Sequence, residues 1–159
     1  MKKLLVLSFL GLVLFACNSN SDNAASDENT SGTTDDATAG ENPSYDPERG
    51  VGKFTDVKVD EHLNVAMADA GQKVYDVKCS SCHKLTDEKL VGPGWKGVTS
   101  RHKPEWIMNF VTNTDEMLDK DPKAQASLEI CMVRMPNQNL NDDAARGVYE
   151  FMRKNDGVK

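Results

Sequence analysis

Cys79-Ser80-Ser81-Cys82-His83 is the stretch on which the reading of this chain turns. Two thiols three positions apart, at the end of a helical pattern, can reach the two vinyl groups on one porphyrin edge and form thioethers. The adjacent imidazole then lies under the iron, which is the chemistry behind the C-x-x-C-H spacing of covalent haem attachment. His83 is the expected proximal ligand, because the covalent bonds leave its ring no other place to go. A C-x-x-C pair also serves zinc sites and thiol redox enzymes. Zinc needs two further ligands, and Cys131 and His102 do not form a second clustered pair. A thioredoxin-like enzyme brings a βαβ pattern, whereas this chain has no β-alternation of consequence and no internal repeat. The expected cofactor is one covalently bound haem c.

The sixth ligand decides whether such a haem carries electrons or binds small molecules. Downstream lies Met132-Val133-Arg134-Met135-Pro136-Asn137. A thioether opposite the imidazole stabilises Fe(II) and raises the potential. Met135 is the preferred ligand, since Pro136 directs the local chain away from helix. Met132 is its rival at helical spacing. Met67, Met108, Met117 and Met152 read as core filler, and His62 and His102 are weaker candidates for the ligand that read rather as surface residues or neighbours of the site.

Working outward, Leu63, Met67, Ala70, Val74 and Tyr75 fall on one face of a helix running into Cys79, with Asp60 as its N-cap. Val51 to Val59 looks extended. Val91-Gly92-Pro93-Gly94-Trp95-Lys96-Gly97 is a loop. Lys103 to Thr112 reads as a helix burying Trp106, Ile107, Phe110 and Val111, with Pro104 in its first turn. Lys123 to Cys131 is a weaker helix. The last helix starts near Asp142 or Asp143 and presents Val148, Phe151 and Met152.

This order of motifs resembles the class I c-type cytochromes over most of residues 60 to 155. The resemblance rests on a glycine-containing helix entering C-x-x-C-H, then Gly92-Pro93-Gly94-Trp95-Lys96-Gly97-Val98 and Arg101, then Met135-Pro136 and a terminal helix. It implies an all-α fold, a small helical domain wrapped around one covalent haem. It further implies that the Pro93 carbonyl accepts a hydrogen bond from the proximal imidazole and that Arg101 pairs with a haem propionate. Trp95 and Trp106 would be haem-pocket walls. Gly71 and Tyr75 would cross the last helix against Val148, Phe151 and Met152. Cys131 departs from the common pattern and reads as a buried small hydrophobe, with a reactive thiol or an intermolecular bridge as the alternatives.

The N-terminal third carries a different message. Lys2 and Lys3 precede an apolar run from Leu4 to Phe15, too short to span a bilayer comfortably, as in an export signal. Leu14-Phe15-Ala16-Cys17 resembles the lipobox of bacterial lipoproteins, which implies residues 1–17 as a lipoprotein signal and Cys17 as the acylated residue; multiple acyl chains make a firm anchor. Residues 18–49, rich in Ser, Asp, Asn and Thr with scarcely an apolar side chain, read as a disordered acidic tether with a coil reach of roughly 30 Å. The cytochrome domain is expected over 50–159.

Charge follows this division. The net −6 comes from the tail, because residues 18–48 hold eight acids and no base while residues 49–159 hold 17 of each sign. No basic run interleaved with aromatics appears, so nucleic acid is not an expected partner. Between Lys73 and Lys103, seven bases face three acids, a local excess suited to docking on acidic partner surfaces. The expected function is a monomeric, lipid-anchored, extracytoplasmic carrier of single electrons rather than an enzyme, working between a quinol-oxidising complex and a reductase or terminal oxidase. The layout resembles small lipoprotein cytochromes of respiratory denitrification. Two alternatives stand beside it: a haem-bearing accessory subunit docked to a larger membrane oxidoreductase, and a haem sensor or peroxidase-like protein with an opened sixth position.

Overall fold

The computed structural model describes residues 45–159. The signal segment, Cys17 and the tether up to residue 44 lie outside the described residues. Helices make up the regular structure: α1 (Val65–Lys78), α2 (Val98–Arg101), α3 (Pro104–Thr112), α4 (Thr114–Lys120), α5 (Pro122–Cys131) and α6 (Asp142–Asn155). Among the described residues β-pairing is confined to two isolated bridges, Asp46 with Gly50 and His83 with Lys89. No described helix is long and apolar enough to cross a membrane.

The first helix starts later than its hydrophobic pattern suggests. Asn64, not Asp60, is the N-cap, its side chain accepting from the Met67 amide at 3.0 Å, so one orphan N–H of the first turn is satisfied. The buried face also differs. Ala68, Gly71 and Tyr75 are buried, whereas Met67 and Ala70 are exposed. The reason is the contact with α6, where the backbones meet at Gly71 and Gly147. A Cβ on Gly71 would overlap the Gly147 carbonyl and lie 2.7 Å from the Val148 nitrogen. Only the small-residue face of α1 permits that approach. Met67 is therefore not core, while Met108, Met117 and Met152 are.

Helix α3 buries Trp106, Ile107 and Val111 and half-buries Phe110, as its periodicity implies. Helix α4, hidden from pattern reading by its acids, buries Met117 and Leu118. Asp121 then caps α5, accepting from the Ala124 amide at 2.8 Å. The carboxylate is fully buried and also accepts from Tyr45 Oη at 2.7 Å and Trp106 Nε1 at 3.1 Å, so each oxygen has a partner. The last helix, capped by Asn141, buries Val148, Phe151 and Met152 as expected.

Residues 45–61 form a strap over α3, α4 and α6 instead of a strand, and Tyr45 to Arg49 at the expected tether's end belong to it. Fully buried Asn109 serves as a surrogate backbone: its Oδ1 accepts from Phe54 N at 2.9 Å, and its Nδ2 donates to the Arg49 and Phe54 carbonyls at 3.0 Å. Glu105 accepts from Val57 N at 2.7 Å. At the far end, fully buried Glu150 accepts from Arg146 and Arg153 at 2.8 and 2.9 Å. These guanidiniums donate onward to the Lys58 carbonyl and to those of Asp60 and Glu61. The three charged groups are thus hydrogen-bonded to one another and to backbone carbonyls, the condition under which ionic groups are tolerated in a core.

Candidate haem site

The attachment motif is folded by its own backbone. Cys79 caps α1, its amide donating to the Tyr75 carbonyl at 2.9 Å. The Cys79 carbonyl then accepts from the amides of Cys82 and His83 at 3.0 and 2.9 Å, wrapping the five residues into a turn. Tyr75 Oη donates to the His83 carbonyl at 2.7 Å, and its ring lies 4.9 Å from Trp95 and 5.3 Å from Phe151. Both thiols are free. Burial pushes the Cys79 thiol up to about 11, so it is held as S–H.

Beside this turn is a largely apolar cleft of ≈ 210 Å³. Cys82, His83, Pro93, Trp95, Arg101, Trp106 and Met135 all line it. Cys79 is buried and is not among the residues that line the cleft. The His83 Nδ1–H donates to the Pro93 carbonyl at 2.9 Å. A carbonyl can only accept, so this contact selects the tautomer and leaves Nε2 with the free lone pair. Burial lowers the His83 pKa against the opposing pull of that carbonyl, favouring the neutral imidazole that binds metal. Gly92 closes over the ring, and a Cβ there would stand 2.7 Å from Nδ1. The amide of Gly92 is pinned to the Cys82 carbonyl at 2.9 Å.

The two candidate methionines are placed differently. Met135 is half-buried and lines the cleft. Met132 ends α5 in the left-handed region (φ 58°) with 83 % of its surface exposed. Trp106 is committed to Asp121, and Arg101 donates to the Lys96 carbonyl at 2.7 Å. Two further residues line the cleft beyond those expected as its walls and ligands. Cys131, expected to be buried, is only partly so and lines the cleft, because α5 ends there. His102 also lines it, stacked on Trp106 at 3.9 Å and 15°; its i, i+4 spacing from that indole was the available signal.

These features fit a haem. The cleft is lined by aromatic and aliphatic carbon, the His83 imidazole with one nitrogen free, the thioethers of Met135 and Met152, and basic residues without any Asp or Glu, which suits an apolar macrocycle with acidic side arms. Among the described residues no group of three or more His, Cys, Asp or Glu could hold a bare metal ion.

Comparison with known proteins agrees. The family model for cytochrome c matches residues 68–156. Cytochrome c from Rhodothermus marinus superposes with a TM-score of 0.66 at 29 % identity, over 70 % of this chain and 97 % of that one. An engineered form of that protein gives 0.66 at 28 %, over 70 % and 98 %. The same engineered form bound to a carbene intermediate gives 0.63 at 28 %, over 70 % and 98 %. No curated protein matches the sequence.

Proposed function

We propose that this chain, which belongs to the cytochrome c family of electron-transfer haem proteins, holds one haem through Cys79 and Cys82 with its iron between His83 and Met135, and carries single electrons between extracytoplasmic partners. The observation that carries this reading is the shared apolar cleft, into which a tautomer-fixed His83 and the half-buried Met135 both contribute. A haem held there by Cys79, Cys82, His83 and Met135 would supply one-electron Fe(III)/Fe(II) chemistry. The protein's share is rigidity: the Pro93 contact and the Gly92 backbone keep the imidazole from turning. Pro136 fixes the chain after Met135. Trp95 and Trp106 wall off water, keeping the surroundings apolar when charge changes.

The experiment is spectroscopic. Oxidised holoprotein is expected to show the weak long-wavelength absorption of thioether bound to ferric haem. Met135→Ala is expected to lose it and to lower the potential on the order of 0.1 V, a fraction of the ~0.8 V that axial ligands command. Met132→Ala should leave both unchanged. Absorption that survives in Met135→Ala and vanishes in Met132→Ala overturns the assignment.

Location follows from residues 1–17. Cys17 is the lipid-bearing residue, and the acidic run after it links the anchor to the domain. Cys17→Ser is expected to shift the protein from the membrane to the soluble fraction almost completely, whereas equal membrane retention of both forms removes the anchor from the account. The donor in this reading is a quinol-oxidising complex and the acceptor a reductase or terminal oxidase, with the cytochrome itself monomeric.

A further inference from the structure

The basic residues of the cleft are not equally engaged. Arg134 is ion-paired with Asp115 and Asp119 at 3.4 and 2.8 Å. Arg101 meets only carbonyl oxygens, those of Lys96 and Gly94. His102 is the odd one. Its ring lies flat against Trp106, and its Nδ1 is buried from solvent with no hydrogen-bond partner among the described residues. Leaving a buried polar atom unpaired costs about 1–3 kcal/mol, which a partner brought into the cleft would relieve. An unpaired ring nitrogen on the wall of a cleft without a carboxylate is a hydrogen-bond donor in the tautomer that carries its proton there.

We propose that His102 is a positioning residue for the prosthetic group: its Nδ1–H donates to a haem propionate and couples electron uptake to proton uptake. This rests on the haem reading above. Arg101 from α2 and Lys123 from α5 disfavour the charged imidazole, while Asp121 at the start of α5 and Glu48 from the strap favour it; burial outweighs each of them and lowers the pKa of the ring. A propionate adds a further negative neighbour. Reduction removes one positive charge from the haem, so the imidazolium is better tolerated beside Fe(II) than beside Fe(III). By reciprocal linkage, a proton held more tightly in the reduced state makes reduction easier where that proton is bound. The potential therefore falls as pH rises between the oxidised-state and reduced-state pKa values of His102.

The test compares matured wild-type holoprotein with His102→Gln, whose amide can still donate but does not titrate. Reduction potential is followed between about pH 5 and 8, where an imidazole changes charge. The expected result is a downward slope in the wild type and its loss in His102→Gln, with the haem-to-thioether absorption intact in both. A wild type without a slope, or a slope kept in the variant, overturns the coupling. Failure of the parent reading looks different. Haem and slope present without thioether absorption would remove Met135 and keep His102; a colourless protein would remove both.

Discussion

A chain with serine at both Cys79 and Cys82 is expected to carry no haem that survives denaturation, a loss of at least about 100-fold in haem stain, whereas either single substitution retains one thioether. Each bond forms by adding S–H across a vinyl group, sulfur to one carbon and hydrogen to the other, with no net redox change. Both sulfurs are available for it, since neither is in a disulfide. The Cys79 carbonyl, accepting from Cys82 and His83, holds the second thiol and the imidazole in one turn with the first. Serine preserves that turn and removes only the nucleophile. Haem stain persisting in the double variant after denaturing electrophoresis would contradict the attachment chemistry.

Gly71→Ala is expected to destabilise the holoprotein by more than about 3 kcal/mol, on the order of 10 °C or more in Tm for a domain of this size. The added methyl meets backbone, the Gly147 carbonyl and the Val148 nitrogen, which no rotamer change can move. Relief requires α1 and α6 to separate, opening the packing of Tyr75 on Phe151 and through Tyr75 the turn that holds His83. The gain of roughly 1 kcal/mol in helix propensity from replacing glycine is too small to offset this. Gly147→Ala is the control. Its Cβ would have 3.2 Å to the nearest atoms, so a small backbone adjustment absorbs it and propensity compensates. Denaturant unfolding of the two variants should differ by at least about 2 kcal/mol; equal losses would place the crossing elsewhere.

The parts of the fold legible in the sequence are those in which chemistry or periodicity is local. The five-residue motif, Pro93, the apolar stripe of α3 and the terminal helix are of this kind. The exposed side of α1 was misread because its packed face is made of Ala68 and Gly71, whose small side chains give a weak hydrophobic signal, while exposed Met67 gives a strong one. Helix α4 has only Met117 and Leu118 among charged residues, too short a signal to separate from a loop. The strap has only the sparse apolar residues Val51, Phe54, Val57 and Val59, which pack against the core but match neither the helical nor the strand period. It is held by the Asn109 amide, by Glu105 and by the arginines around Glu150, contacts between residues more than forty positions apart. His102 was read only as a surface residue or a neighbour of the site for a related reason: an unpaired ring nitrogen is a property of its surroundings, not of its neighbours in the chain.

All of this depends on a porphyrin bonded through two sulfurs, and intact-mass measurement of the denatured protein, produced in a host with haem-attachment machinery, addresses that bond directly. The predicted result is a single species heavier than the processed chain by one haem, with Cys79 and Cys82 both unreactive to thiol reagents. A species at the mass of the processed chain without haem, with both thiols labelled, would contradict the account.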